Sequence, residues 1–180
     1  IKSIPHELSF VLSGSIGYLF GPRADFTIII SPPLFTGIPV GILARLQGSR
    51  TLFHVQDLQP DAAVDLGMLK PGKLVSLFFL LEKVTYRLVD FVSSISDGMV
   101  SKIASKGVPE RKLSLFRNWA HDNLITPMSS DTRYRREWNL KDKFVVLYSG
   151  NMGVKQGLDS VLQAAAALQS HKDVVFLIVG

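Results

Sequence analysis

A strand, a glycine-rich turn and a helix follow one another in the C-terminal part of the chain, and this order limits the possible folds most. Phe144–Tyr148 is a short apolar run, as expected for a buried parallel strand. Gly150, Gly153 and Gly157 follow, and they permit a tight turn and a close approach of the backbone to a ligand. The next apolar residues recur at helical spacing and predict one buried helix face: Leu158, Val161, Leu162, Ala165 and Leu168.

This turn has two possible interpretations. Helix N-termini attract anions, and Lys155 lies just before this helix, so the turn can form a phosphate or diphosphate site. It can equally be an ordinary βα turn of a Rossmann-like sheet. The Walker A motif needs Gly-Lys-Ser/Thr at its end, whereas Lys155 is followed by Gln156 and Gly157. The spacing of Gly150 and Gly153 does not fit G-x-G-x-x-G either, so the ATPase and NAD-dehydrogenase classes both lose support.

The sequence Tyr148-Ser-Gly-Asn-Met-Gly-Val-Lys-Gln-Gly-Leu158 resembles the opening of the C-terminal domain in bacterial GT-B glycosyltransferases of family 4. The nearest branch builds colanic-acid, capsule and O-antigen sugars. In that family this turn lies under the diphosphate of a nucleotide-sugar donor, which implies diphosphate contacts from Gly150, Asn151, Gly153 and Lys155. Family members usually carry an arginine near the position of Asn151. Its absence weakens diphosphate binding or gives Lys155 a larger share of the charge stabilisation.

A strand followed by two prolines marks a candidate binding edge in the N-terminal half. Asp25–Ile30 is β-branched and apolar, which predicts a strand, and Ser31, Pro32 and Pro33 follow at its carboxyl end. In open α/β sheets ligands bind at that edge, although two prolines can also simply end a strand. In the resembled family this turn faces the cleft between the domains, which places Ser31 and Pro32 on the acceptor side.

The densest polar cluster follows the next predicted strand, Thr51–His54. His54, Asp57 and Asp61 could supply a general base or bind sugar hydroxyls. Alternatively, the two aspartates are turn and cap residues, and His54 is half-buried and hydrogen-bonded. The resembled family carries an Asp-Leu-x-Pro-Asp turn here and often a His or Asp close to the acceptor. The resemblance therefore makes His54 and Asp57 the candidate catalytic residues, without choosing between them, and puts Asp61 on the acceptor side.

The net charge and the absence of a metal-ligand pattern limit the classes of partner that the sequence predicts. The net charge of +5 and the pI near 9.6 suggest an anionic partner: a nucleotide, a phospholipid surface or a nucleic acid. Nucleic acid is disfavoured, because aromatic interleaving of the arginines near residue 135 is limited. The four histidines are scattered and no D-x-D pair occurs, so no metal site is predicted. This agrees with the metal-independent GT-B type.

A long apolar segment, Pro71–Val89, predicts a helix. Its expected inward face consists of Leu74, Leu77, Phe78, Leu81, Val84 or Thr85, and Leu88. Because the segment is apolar nearly all round, a buried crossover helix is the favoured interpretation. Contact with a partner or a membrane is the alternative, since four basic residues flank the apolar positions: Lys70, Lys73, Lys83 and Arg87.

Strands and helices alternate along the chain, which predicts an α/β fold with parallel sheets. The Gly-Val-Pro-x-x-Lys-Leu order that ends at Asn118 and Trp119 resembles the last strand of the family's N-terminal domain. We therefore expect a GT-B fold with two incomplete Rossmann-like domains. Residues 1–119 form part of the acceptor-side domain, residues 120–143 the connection, with a short helix at Asp131–Trp138, and residues 144–180 the start of the nucleotide-sugar domain.

The function that the resemblance implies is sugar transfer. The expected enzyme is retaining and metal-independent, needs no cofactor, and moves a sugar from a nucleotide sugar to a lipid-linked glycan in bacterial surface polysaccharide synthesis. Its expected place is the cytoplasm, at the inner-membrane face. The chain lacks a start methionine and stops inside a βα unit, so we expect a fragment, inactive alone, whose acidic donor motif lies beyond Gly180. A GT-B nucleotide-sugar epimerase and a non-catalytic binding module remain alternatives.

Overall fold

A computed structural model describes residues 4–70, 72–120, 126, 127, 129 and 131–180 of the chain. The chain divides into two units, Ile1–Trp119 and Ala120–Gly180. Strands and helices alternate in each unit, and all strand pairs of the described residues are parallel. The predicted α/β class with parallel sheets is therefore confirmed. Whether the units serve the acceptor and the donor stays a prediction.

The first unit is a four-stranded sheet with helices between the strands. Its strands lie in the order β1-β2-β3-β4, so each strand pairs with the next one along the chain. Short 3-10 turns at Leu34–Thr36 and Glu110–Lys112 precede α2 and β4. The elements are α1 (Ile4–Phe20), β1 (Phe26–Ser31), α2 (Gly37–Leu46), β2 (Arg50–Val55), α3 (Gln59–Asp65), α4 (Lys73–Leu88), β3 (Phe91–Ser94), α5 (Asp97–Ser105) and β4 (Leu113–Leu115).

The main core lies between one face of this sheet and the helices α2, α4 and α5. Because side chains alternate along a strand, residues in register share a face, and Ile29, Phe53 and Val92 all point to this core. The helices contribute Val40, Tyr86 and Ile103, which are buried against these strands. These helices therefore pack on and stabilise the sheet. The candidate residues lie at the carboxyl edge of the same sheet.

The predicted inward face of α4 is confirmed only in part. Phe78, Leu81 and Leu88 are half-buried and Thr85 is buried, whereas Leu74 and Leu77 are exposed. The buried side chains of this helix are Val75, Glu82, Thr85 and Tyr86. Periodicity could not orient a helix that is apolar nearly all round. Polar contacts determine which side of α4 faces inward, because Tyr86 donates to Glu82 and Glu82 pairs with Lys106. The predicted first residue, Pro71, lies outside the described residues, as does His121.

The second unit contains one βα unit and a following strand. Its elements are α6 (Arg133–Glu137), β5 (Phe144–Ser149), α7 (Leu158–Ala167) and β6 (Val174–Val179), with β5 parallel to β6. Phe144 and Leu147 are more than half exposed, so the expectation of a buried strand is wrong for these residues. Leu162 and Leu168 of the predicted helix face are also exposed, because a two-stranded sheet offers α7 a narrow surface.

Candidate functional site

The carboxyl ends of the first two strands bring the predicted polar loops of the first unit together. The strands are parallel, so the residues that follow β1 and β2 lie at one edge of the sheet. Two hydrogen bonds join these loops. The backbone N–H of Gln56 donates to the carbonyl of Ser31 at 3.0 Å, and the N–H of Leu34 donates to Oε1 of Gln59 at 2.9 Å. The two loops therefore form one continuous surface.

A narrow cleft, too small in this structure to admit a water molecule, lies between these loops and α4. Ser31 is buried and Asp57 is half-buried, and both line the cleft, while Pro32 is exposed outside it. The polar lining residues are Ser31, Asp57, Gln59, Glu82 and Tyr86, and the apolar ones are Leu34, Phe53, Val55 and Pro60. The structure thus places Ser31 and Asp57 together, and their role in binding an acceptor stays a prediction.

His54 lies away from this cleft. Phe53 and Val55 point toward the cleft, so the intervening His54 points to the opposite face of the sheet. Its side chain is buried, its Nδ1 lies 2.8 Å from the Oγ of Ser93, and the Phe116 ring packs edge-on against it at 5.5 Å. Burial lowers the pKa of His54 below its usual value, which favours a neutral imidazole. This geometry matches the hydrogen-bonded alternative considered for the residue.

Asp61 belongs to a partly buried charge cluster that links three helices. Lys106, at the end of α5, contacts Asp61 of α3 and lies 2.6 Å from Oε2 of Glu82 on α4. Lys102 adds a longer contact to Asp61 at 3.7 Å. The hydroxyl of Tyr86 donates to Glu82 at 3.0 Å, and burial followed by the nearby Glu82 charge raises the Tyr86 pKa. In the structure, Asp61 therefore stabilises the helices beneath the cleft.

Three polar residues of this region were not predicted from the sequence. Glu82 and Tyr86 line the cleft, and Gln59 joins its two loops. A lone carboxylate inside an apolar helix was the available signal for Glu82, because such a group needs a buried partner. Nothing in the pattern pointed to Gln59, whose role depends on the proximity of two loops that are distant in sequence.

The predicted donor turn lies at the carboxyl end of β5. Gly150, Asn151 and Lys155 are exposed on it, and Gly153 is half-buried. The hydroxyl of Tyr148 donates to the carbonyl of Asn151 at 2.7 Å and holds the turn against the strand. A 3-10 turn at Val154–Gln156 carries Lys155, and α7 begins directly afterwards. The four predicted donor residues thus occupy a single surface turn.

The hydrogen bonds of this turn correct one detail of the predicted diphosphate site. The N–H of Gly150 donates to the carbonyl of Val179 at 2.9 Å, so it already belongs to the sheet ladder and does not face a ligand. Asp159 occupies the first turn of α7 and offsets part of the positive end of the helix dipole. The N–H groups of Gln156 and Gly157 donate to the carbonyls of Gly153 and Val154, so the groups of this turn suited to an anion are the Lys155 ammonium and the N–H groups of Asn151 and Gly153. Gly157 connects them to α7 in the left-handed conformation, with φ of 59°.

Within the described residues, no three or more acidic or histidine side chains come together in a way that could hold a metal ion. The ligand chemistry of both candidate sites is instead that of hydroxyl, amide, carboxylate and lysine groups. Such groups suit a sugar at the first site and a phosphate at the second.

Solved structures of Alr3699/HepE from Anabaena resemble the chain in fold. The structure in complex with UDP gives a TM-score of 0.59 at 13% identity and covers 98% of this chain and 52% of HepE. The structure in complex with UDP and glucose gives a TM-score of 0.58 with the same identity and coverage. At this identity the likeness concerns the fold alone, and the predicted GT-B type of fold is confirmed.

Two curated relatives extend the comparison to sequence. The chain is 35% identical over 189 residues to the putative colanic acid biosynthesis glycosyl transferase WcaI of Escherichia coli (strain K12), covering 100% of this chain and 46% of WcaI. It is 24% identical over 152 residues to the probable glycosyltransferase WbjE of Pseudomonas aeruginosa, covering 83% of this chain and 38% of WbjE. The chain thus spans less than half the length of either relative.

The first unit also matches a protein family directly. The matched family is described as a glycosyl transferase 4-like domain, and the match covers residues 5–119. These residues hold the whole four-stranded sheet and the cleft at its carboxyl edge. Since this match covers more than half of the residues of the chain, the chain belongs to the glycosyl transferase 4-like family.

Proposed function

We propose that the chain forms part of a glycosyltransferase of polysaccharide biosynthesis, which transfers a sugar from a nucleotide-diphosphate sugar to a lipid-linked glycan. The observation that carries the proposal is the 35% identity across the whole chain with a putative colanic acid biosynthesis glycosyl transferase. One fold hosts many activities, so this sequence relationship weighs more than the fold itself. The UDP and UDP-glucose complexes of HepE support a nucleotide sugar as the donor class.

The acceptor side of the reaction is assigned to the loops that surround this cleft at the carboxyl edge of the first sheet. The carboxylate of Asp57 lines this cleft and can accept a hydrogen bond from a sugar hydroxyl. His54 points to the other face of the sheet and is already hydrogen-bonded to Ser93. Of the two candidate catalytic residues, we therefore assign the acceptor contact to Asp57 and a supporting role to His54.

The donor side is assigned to the glycine-rich turn after β5. Sugar transfer builds negative charge on the departing diphosphate while the anomeric carbon becomes cation-like. The Lys155 ammonium can offset that charge, together with backbone N–H groups of Asn151 and Gly153. Because Asn151 carries no charge, Lys155 is the principal cationic group that this turn offers to the diphosphate.

The stereochemistry, metal requirement and location are assigned by family resemblance. We propose that the anomeric configuration is retained, that no divalent metal ion takes part, and that the reaction occurs at the cytoplasmic face of the inner membrane. Neither the contacts among the described residues nor the relatives named above favour a nucleotide-sugar epimerase or a non-catalytic module.

Nucleotide release separates these three functions. Protein expressed from its complete coding sequence is incubated with a panel of UDP- and GDP-sugars, with and without a polyprenyl-diphosphate sugar. We expect release from one donor only when the acceptor is present, unchanged by EDTA. Isomerised sugar formed without the acceptor would establish an epimerase and refute transfer. No turnover with any donor would refute both catalytic functions.

Two substitutions test the assignment of the acceptor contact. Asp57→Asn should lower kcat/KM for the acceptor roughly 100-fold, because it removes the negative charge and basicity of the group that faces the hydroxyl. His54→Gln keeps a hydrogen-bonding side chain beside Ser93 and should lower it less than about tenfold. The reverse order would move the catalytic role to His54.

A further inference from the structure

The helix α4 turns an apolar strip away from the core. Leu77, Leu80 and Val84 are 47%, 55% and 38% exposed, whereas Glu82 and Tyr86 on the opposite side pack inward. Apolar residues scattered singly over a protein surface are ordinary, but these lie at helical spacing on one side of one helix. Together they form a continuous strip, which Leu74 extends by one turn.

A second helix, α2, carries further exposed apolar residues beside α4. α2 packs closely beside α4, because a side chain at Gly41 would come within 3.0 Å of Leu88. On its own exposed side α2 carries Ile42 and Leu46. Both helices already contact the sheet or each other through their buried sides, so these residues form the outer layer of the unit. We call this the α2–α4 surface: Ile42, Leu46, Leu74, Leu77, Leu80 and Val84.

The charged residues on the exposed side of α4 are all basic. Lys73, Lys83 and Arg87 are exposed, and none of them forms an ion pair within the described part of the chain. The only carboxylate of α4 is Glu82, which is turned inward and paired with Lys106. The outward side of α4 therefore combines apolar side chains with cations and carries no acid.

This combination distinguishes between the possible occupants. A second copy of the chain on the same surface would bring the cations of α4 toward one another, and like charges in contact are unfavourable. An anionic lipid bilayer matches both features, because leucine side chains enter the interface while lysine and arginine meet the headgroups. None of the helices in the described part of the chain is long and apolar enough to cross a bilayer.

We propose that the α2–α4 surface docks the protein on an anionic lipid bilayer, with α4 lying in the plane of the interface. The proposal rests on the proposed function in one respect, since a lipid-linked acceptor would lie in that bilayer. The C-terminal half of α4 lines the cleft through Glu82 and Tyr86, on the side of the helix opposite to the α2–α4 surface. Docking through α4 would therefore leave one helix diameter, ~10 Å, between the membrane surface and the cleft.

Vesicle co-sedimentation tests the docking directly. Protein expressed from its complete coding sequence is mixed with vesicles of phosphatidylcholine alone or of phosphatidylcholine with phosphatidylglycerol. We expect binding to the anionic vesicles that weakens with added salt. Lys83→Gln/Arg87→Gln should weaken it roughly 30-fold, and Leu80→Ser roughly tenfold. Equal binding to both kinds of vesicle, or no binding to either, would overturn the proposal.

Matched control variants separate this surface from general effects. Leu162→Ser changes a leucine of α7 with the same exposed fraction as Leu80, 55%, and Lys141→Gln/Lys172→Gln removes two exposed lysines of the second unit. Both controls should bind vesicles like the wild type, and weakening as large as in the α4 variants would overturn the proposal. A dimer in light scattering that Leu80→Ser dissociates would assign the surface to self-association instead.

Vesicle binding and sugar transfer, measured on the same protein, distinguish the membrane-docking proposal from the glycosyltransferase proposal. Vesicle binding without transfer of any sugar would leave the docking surface in place and refute the glycosyltransferase activity. Sugar transfer to a soluble acceptor without vesicle binding would refute the docking surface and leave the activity in place.

Discussion

The Nδ1 atom of His54 on β2 lies 2.8 Å from the Oγ atom of Ser93 on β3. The two residues are direct partners in the parallel register, so the sheet itself holds the imidazole and the hydroxyl at hydrogen-bonding distance. Both side chains are buried. A histidine held in this way is suited to supporting the strand ends around the cleft, whereas Asp57 in the following loop lines the cleft itself.

The burial of His54 predicts a pH dependence of stability. Burial lowers its pKa in the folded protein below the usual 6.5, so the unfolded chain binds a proton first as the pH falls. The stabilisation is therefore complete above the unfolded pKa and is lost as the pH falls toward the folded pKa. Urea unfolding should give a lower free energy of unfolding at about pH 5.5 than at about pH 7.5, and His54→Gln should reduce this difference.

His171, which is exposed, supplies the control for this measurement. His171→Gln should leave the pH dependence close to that of the wild type. An equal reduction in the two variants would show that burial of His54 does not cause the effect.

The cluster of Lys106, Glu82 and Asp61 predicts a large stability loss on substitution. Lys106→Met leaves the buried Glu82 without its cation, which should lower the free energy of unfolding by about 3 kcal/mol. Adding Glu82→Gln should recover part of the loss, because glutamine is neutral and can still accept from Tyr86. Urea denaturation measures both variants.

The exposed ion pair between Arg133 and Glu137 is the matched control for that cluster. Arg133→Met should change the free energy of unfolding by less than about 0.5 kcal/mol, since solvent screens an exposed pair. A loss for Lys106→Met as small as this would contradict a stabilising role of the buried cluster.

The left-handed conformation of Gly157 predicts a difference between two substitutions in the donor turn. Alanine is strained at φ of 59°, so Gly157→Ala should cost about 1 kcal/mol of stability and weaken nucleotide binding by displacing Lys155. Asparagine tolerates this conformation better, and Gly157→Asn should lose less of both. Thermal unfolding and a fluorescent nucleotide titration measure the two effects. Equal losses in the two variants would show that the backbone conformation is not the cause.

Much of the fold was predictable from local patterns. The apolar runs and glycine-proline signals gave Phe26–Ser31 and Leu158–Ala167 nearly at their observed ends, because each segment has one dominant periodicity. The hydroxyl of Ser96 accepts from the N–H of Met99 and caps α5, as expected for a serine directly before a helix. The meeting of Ser31 and Asp57 at one edge followed from the expectation of parallel strands.

The orientation of individual side chains was not predictable in the same way. α4 is apolar on most sides, so only tertiary partners such as Lys106 could decide that Glu82 points inward and Leu80 outward. His54 lies between two cleft-lining residues, and its opposite direction depends on the register of the strand. The local sequence could not predict that the Gly150 N–H donates within the sheet, because its acceptor, Val179, is distant in sequence. Each of these depends on contacts between segments distant in sequence.

The mass of the lipid acceptor after reaction tests the central claim most directly. Protein expressed from its complete coding sequence is incubated with its donor sugar and a polyprenyl-diphosphate sugar, alongside Lys155→Ala and the control Lys172→Ala. We predict that mass spectrometry finds the acceptor heavier by one sugar residue, with little product from Lys155→Ala and unchanged product from Lys172→Ala. An acceptor of unchanged mass with every donor sugar tested would contradict the assignment of this chain to a sugar transferase.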